Sequence, residues 1–140
     1  MIILDTNVIS ELRKPFPNEN VKRWLFGEDR SDLYLCSIAV MEQRYGAEKT
    51  FLKSGSDRYH RALDYLLAGQ FRDRVVDLNI AASVLTGKLR AKCESIGRAI
   101  SVQDAMIAAI CLHHGATLAT RNTKDFEGLD LKLVNPFEDG

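Results

Sequence analysis

Three apolar residues near the start of the chain, Ile2-Ile3-Leu4, run without alternation into a carboxylate, Asp5, which is followed by the small polar pair Thr6 and Asn7. A short apolar run of this kind suits a central strand of a parallel sheet, because helices cover both faces of such a strand. Asp5 then stands at the strand's carboxyl end. An ordinary task there is to N-cap the helix expected from Val8 to Leu12. The pattern of an acid just past an apolar run returns three more times, however, at Glu42, Asp104 and Asp125.

The elements between these acids follow from punctuation and periodicity. Pro15 and Pro17 stop the first helix, and Asn18 is a fitting N-cap for a second, in which Val21, Trp24 and Leu25 share a face before Gly27. Leu33 to Cys36 reads as a strand with Ser37 at its exit, and a long helix from Ile38 to Lys53 carries Glu42 in its early turns. Gly55 and Ser56 break it, and Asp57 caps a partner helix ending near Leu67 and Gly69, with His60 on a charged, solvated face. Val75 to Leu78 reads as a third strand. Asn79 caps the next helix, with Ile80, Val84, Leu85, Leu89 and Ile96 on its expected inner side and Gly97 at its end. Ser101 opens a mostly buried helix over Val102 to His113 that Gly115 terminates. Thr117 to Thr120 and Leu131 to Val134 complete the strands. Strands alternating with helices, without hairpin signals, call for a three-layer α/β/α fold around a mainly parallel sheet of about five strands. No linker or repeat interrupts residues 1–140, so one domain is expected.

Composition narrows the chemistry by exclusion. Lys plus Arg and Asp plus Glu are both 19, so no global basic field advertises nucleic acid, and binding of that kind would rely on local patches. Cys36, Cys93 and Cys111 lack paired metal or redox spacing and fit buried free thiols in a reducing compartment, the cytoplasm. Neither a leader segment nor an apolar run of membrane-spanning length is present in the sequence. His113 and His114 lack the spacing of a zinc helix, and serine-hydrolase motifs and phosphate loops are absent.

In open parallel sheets the strand carboxyl ends gather the site-forming loops, and Asp5, Glu42, Asp104 and Asp125 can all reach that one rim. A purely structural reading exists for each. Glu42 can be a solvated helix residue, Ser101-x-x-Asp104 is a capping box, and Asp125 can hold a turn with Thr123. Magnitude decides what convergence would mean. Two carboxylates about 5 Å apart repel by roughly 3 kcal/mol at an effective dielectric of about 20. A cluster of four needs shared protons or a cation. All-oxygen ligands favour Mg²⁺ or Mn²⁺ over zinc, and an open-sided ion of that kind suits phosphodiester hydrolysis by a metal-activated water. Thr6, Asn7, Ser37, Thr120 and Asn122 can orient waters or ligands and Arg121 can contact a phosphate, while helix capping or turn formation accounts for each of them equally well.

The same residues carry a resemblance. Ile3 to Leu12, Ser37 with Glu42 and Gly46, Asp104 with Ile107-Ala108-Ala109, Ala119 to Phe126, and the tail Asn135 to Phe137 together resemble a PIN domain, and more narrowly the VapC-type toxins of toxin–antitoxin modules, near the FitB branch. The resemblance implies that Asp5, Glu42 and Asp104 are the family's metal-site acids. For the fourth position relatives carry an acid either where this chain has Asn122 or where it has Asp125; Asp125 is carried over, with Asn122 as helper and Thr120 as the nearby hydroxyl. It further implies a Mg²⁺-dependent endoribonuclease leaving a 3′-hydroxyl and a 5′-phosphate, a homodimer, and a cognate VapB-like antitoxin. The antitoxin's C-terminal segment would block the site while its N-terminal domain binds DNA, so that the toxin meets DNA only indirectly. The helix from Asn18 to Phe26 and the Ile38 helix with Tyr45 are the expected partner surfaces, and Arg13, Lys14, Arg44, Lys49, Arg121 and Lys124 the expected RNA-facing cations.

Two other readings compete. One is a catalytically inactive PIN-like interaction module whose acids bind a structural ion or a partner's arginines. The other is an aspartyl-nucleophile phosphatase using Asp5, which needs an acid at the position Asn7 occupies.

Overall fold

The first strand ends up in the middle of the molecule. The computed structural model describes residues 1–138. Its five-stranded sheet has the order β3-β2-β1-β4-β5, built from β1 (Ile2–Leu4), β2 (Leu33–Cys36), β3 (Val75–Val76), β4 (Thr117–Ala119) and β5 (Lys132–Val134). Every pairing is parallel. β1 lies between β2 and β4, with Ile3 opposite Tyr34 on one side and Leu118 on the other. Ile3, Leu4, Leu35 and Leu118 are completely buried, each contributing about 1.5–3 kcal/mol of apolar transfer. The non-alternating apolar run thus has the cause expected of it, helices over both faces in a three-layer α/β/α arrangement.

Six α-helices connect and cover the strands: α1 (Thr6–Leu12), α2 (Glu19–Gly27), α3 (Ser37–Ser54), α4 (Arg58–Ala68), α5 (Ile80–Ser95) and α6 (Val102–His114). Asn18 caps α2 by accepting from the amides of Asn20 and Val21. Asn79 caps α5 from Ala82 N, and Ser101 caps α6 from Asp104 N. Trp24 and Leu25 pack, partly buried, against the core. α6 is buried through Ala105, Ile107, Ala108, Ala109, Ile110 and Cys111. It stops at Gly115, whose φ of +62° is a left-handed turn that glycine adopts without strain.

Several sequence expectations need correction. The inner side of α5 is Ala82, Thr86 and Cys93, with Leu85 and Leu89 partly buried. Ile80, Val84 and Ile96 instead face outward, at 82%, 55% and 63% exposure. α5 and α6 pack on each other, and the small side chains of α5, set against the alanines of α6, allow a close approach that larger aliphatics would prevent. The third strand is only Val75–Val76. Asp57 precedes α4 without a side-chain capping bond and pairs with Arg61 instead, at 3.1 Å. His60 is tied rather than solvated: its Nε2 lies 2.8 Å from Glu48 Oε2 and its ring meets Phe51 edge-on, joining α4 to α3. No helix among the described residues is long and apolar enough to cross a membrane.

Candidate active site

Asp5 is held on three sides at the carboxyl end of β1. Its own amide donates to Ala119 O at 2.9 Å, which fixes the backbone against β4. Its Oδ1 accepts from Thr6 N at 2.8 Å, and its Oδ2 from Thr120 Oγ1 at 2.7 Å and from Asn7 Nδ2 at 3.4 Å. Asp5 therefore does cap α1, and the capping and site-forming roles coincide in one side chain. At 6% exposure it is a buried carboxylate. Burial raises its pKa, the bonds from Thr120, Thr6 and Asn7 pull it back, and the nearby charge of Asp125 raises it further.

Thr6 joins two acids. Its amide serves Asp5, and its hydroxyl donates to Glu42 Oε1 at 2.8 Å. Glu42 thereby reaches across from α3 to the start of α1. Asp104 sits in the first turn of α6, half-buried. Its carboxyl is held above the usual range by burial first and then by the charges of Asp5, Asp125 and Glu42, against a lowering bond from Ser101. The four acids from four separate segments thus lie near enough to act on one another. Among the described residues, however, no three His, Cys, Asp or Glu side chains form a group that could hold a metal ion as they stand. The acids share a rim without closing into a cage.

Beneath the rim lies Cys36. Burial, with the charges of Asp5 and Glu42 adding to it, pushes this thiol up to about 11, so it stays protonated at neutral pH and is no nucleophile.

The polar helpers divide. Asn7 and Thr120 belong to the Asp5 network: Asn7 Nδ2 donates to Thr120 Oγ1 at 3.2 Å, and Asn7 Oδ1 accepts from Arg121 N at 3.0 Å. Asn122 contributes its backbone amide, which donates to Thr120 Oγ1 at 3.1 Å. Asp125 lies in a short 3-10 turn over Thr123–Phe126, its amide bonded to Asn122 O. Ser37 accepts from Leu78 N at 3.3 Å and so joins the β2 exit to the chain after β3. The guanidinium of Arg121 lies 3.8 Å over the Phe137 ring and 3.7 Å from Glu11 Oε1.

Glu11 and Gln43 were not singled out from the sequence. Glu11, buried at 5%, accepts from Lys14 Nζ at 3.1 Å and from Asn18 N at 3.3 Å. Gln43, buried beside Glu42, donates to Thr6 O at 3.3 Å and to Ser10 Oγ at 3.0 Å, pinning α1 to α3. A signal for Glu11 existed: it follows Asn7 by four residues and so shares its face of α1. The expected RNA-facing cations are largely engaged within the chain. Arg13 lies 4.6 Å over Tyr59 and Lys49 5.2 Å over Tyr45. Arg44 pairs with Asp64 at 2.6 Å, and Lys14 and Arg121 with Glu11.

An all-parallel sheet of this order, with carboxylates from β1, α3, α6 and the loop after β4 around its carboxyl rim, defines a recognisable class. The chain belongs to the PIN domain family, whose model matches residues 2–131. It is 38% identical to the plasmid stability protein StbB of Pseudomonas syringae pv. tomato, over 99% of both chains. It is 36% identical to the VapC ribonuclease Y4jK of Sinorhizobium fredii, again over 99% of both. Among solved structures it superimposes on a chain of FitAB bound to a DNA fragment with a TM-score of 0.88, at 33% identity, covering all of this chain and 98% of the other.

Proposed function

We propose that this protein is a Mg²⁺-dependent endoribonuclease and the toxin of a type II toxin–antitoxin pair, with Mn²⁺ able to replace Mg²⁺. The observation that carries the reading is the gathering of Asp5, Glu42, Asp104 and Asp125 at one rim, where Thr6 bonds to both Asp5 and Glu42 and where burial first, and neighbouring acids second, hold Asp5 and Asp104 above the ordinary carboxyl range. A buried carboxylate with other carboxylates around it is relieved by a cation. An all-oxygen donor set fits Mg²⁺, and Mg²⁺ keeps several waters and needs only one or two carboxylates, so an open rim suits it better than a closed cage.

Asp5, Glu42, Asp104 and Asp125 would share the ion, directly or through its waters, and when bound it would supply an activated water and neutralise charge at the phosphodiester. The chain's own groups do the positioning. Thr120, Asn7 and Thr6 fix both oxygens of Asp5, and Thr6 fixes Glu42. Water oxygen bonds to phosphorus and the P–O3′ bond breaks, leaving a 3′-hydroxyl and a 5′-phosphate.

The relatives named for VapC ribonuclease activity and for a FitAB complex on DNA support an RNA substrate and an antitoxin through which DNA is met. Exposed Phe26 on α2 and Met41 and Tyr45 on α3 offer that antitoxin an apolar surface. Ile80 and Val84 on α5 offer one for a second copy of the chain. An RNA substrate and three free cysteines fit the cytoplasm as the compartment for this chemistry.

The spread of the acids favours a second reading, a non-catalytic PIN-like binding module, and one experiment separates the two. Wild type, Asp5→Asn and Asp104→Ala are purified free of antitoxin and incubated with single-stranded RNA in Mg²⁺ or EDTA, with the ends mapped. Cleavage by wild type in Mg²⁺ alone, lost in both variants, is expected. RNA cleavage and growth arrest that persist in Asp5→Asn overturn the catalytic assignment.

A further inference from the structure

A ribonuclease that arrests growth must choose where to cut, and the surface beside the acids bears on that choice. A cleft of about 420 Å³ opens from Asp104 and Asp125 and runs between the C-terminal end of α5, the 98–101 connection and the 127–130 turn. The volume falls in the range of small-molecule sites. Leu89, Ile96 and Leu129 give it an aliphatic lining, while Lys92, Arg98 and Lys124 bring cations to it. Unlike the engaged cations elsewhere, these three make no ion pair among the described residues. Arg98 also reaches across the cleft mouth to the 127–130 turn. A methyl group added to Gly128 would come within 3.1 Å of an Arg98 guanidinium nitrogen, so that guanidinium rests against bare backbone.

Charge argues against a free phosphate as the occupant. Besides its three cations the cleft carries Glu127 and Asp130 as well as the two site acids, so the carboxylates outnumber the cations. A nucleobase fits better, because its faces are apolar and its edges carry both donors and acceptors. Guanine offers O6 and N7 as acceptors to an arginine fork and an N2 amino group as donor to a carboxylate. Adenine would present an amino donor where Arg98 also donates, and cytosine and uracil, with one ring each, would leave more of the aliphatic lining uncovered. Proteins read single-stranded RNA through such unstacked bases.

We propose that this cleft seats a guanine of single-stranded RNA beside the phosphodiester presented to the acids, with Arg98 reading its O6/N7 edge and Glu127 its amino group. The inference rests on the ribonuclease reading, and its test keeps the two apart. Short RNAs differing only in the base next to the mapped cut are cleaved by wild type, Arg98→Ala and Glu127→Gln. In parallel, 5′-GMP and 5′-AMP are titrated into metal-free ¹⁵N-labelled protein and the Gly128 and Leu129 amides followed.

Wild type is expected to favour guanine by about ten- to a hundredfold. Both variants lose most of that preference while cutting the other RNAs at the wild-type rate, and GMP moves the two amides more than AMP does. Both substitutions are at exposed positions, and an unchanged thermal midpoint verifies the fold. Equal rates for all four bases, or a guanine preference untouched in both variants, overturn the subsite and leave the ribonuclease standing. Absence of any cleavage by wild type overturns the ribonuclease, and the GMP titration alone then decides the cleft: selective shifts support it, and their absence overturns it.

Discussion

Thr120 Oγ1 donates to Asp5 Oδ2 across 2.7 Å, although 115 residues separate the two along the chain. The same hydroxyl oxygen accepts from Asn7 Nδ2 and from Asn122 N. One buried threonine therefore aims the acid and joins α1 to the loop after β4. Thr120→Val keeps the volume and strips the hydroxyl, leaving Asp5 short of a donor and two donors short of an acceptor. Stability should fall by about 1–3 kcal/mol and RNA cleavage by about ten- to a hundredfold, while Thr120→Ser retains most of both. Urea unfolding beside cleavage rates reads this out, and a Thr120→Val protein as active as wild type would show that Asp5 needs no such aim.

Arg121 invites a phosphate-binding assignment from sequence, yet its guanidinium is taken up by Phe137 and Glu11. Its backbone meanwhile bonds to Asn7 and Asn135. Arg121→Ala is expected to cost about 1 kcal/mol of stability through the lost cation–π and ionic contacts. The slope of log affinity against log salt for RNA should stay unchanged. A slope reduced by about one unit would mean that the side chain leaves Phe137 to neutralise a phosphate.

Burial and the charges of Asp5, Asp125 and Glu42 hold the Asp104 carboxyl above its usual range. A raised folded-state pKa means that the native chain binds this proton more tightly than the unfolded one does. The group's contribution is therefore favourable below about pH 4 and is lost as pH rises through the folded value. In EDTA, Asp104→Asn, which cannot ionise, should gain thermal stability relative to wild type as pH climbs from about 4 to 7. Added Mg²⁺ should stabilise wild type more than the variant. Thermal midpoints whose difference ignores pH would remove the repulsive field from the account.

Ile80 and Val84 are exposed on a helix whose opposite side is packed. A homodimer through this stripe predicts that Val84→Glu yields a monomer in sedimentation, with the single-chain fold altered by no more than about 0.5 kcal/mol. A dimer that survives the substitution moves the interface elsewhere.

How far the sequence could be read depends on which residue is asked. β1, β2 and β4 were legible because a strand covered on both faces has no polar alternation to blur it. The caps Asn18, Asn79 and Ser101 were legible because local bonds to the next turn decide them. α5 was legible at Leu85 and Leu89 but misled at Ile80, Val84 and Ile96, because a row of aliphatics at helical spacing looks the same whether it meets the core or water. The small residues that win the core contact, Ala82 and Thr86, carry a weak apolar signal. Among the acids, residue type and position after a strand marked Asp5, Glu42 and Asp125, and an acid in the first turn of a mostly apolar helix marked Asp104. That Thr6 spans Asp5 and Glu42, or that Gln43 pins two helices, depends on contacts 33 to 37 residues apart, which no local pattern encodes.

Because β1 pairs on one side with β2 and on the other with a strand that begins at Thr117, its terminal acid receives its last donor only from Thr120. During synthesis the acid therefore waits for its full setting until Thr120, 115 residues further along, has been made and β4 has joined the sheet. On the ribonuclease reading, truncated chains lacking β4 should cleave no RNA, because Asp5 would then lack both its backbone partner Ala119 and the Thr120 hydroxyl.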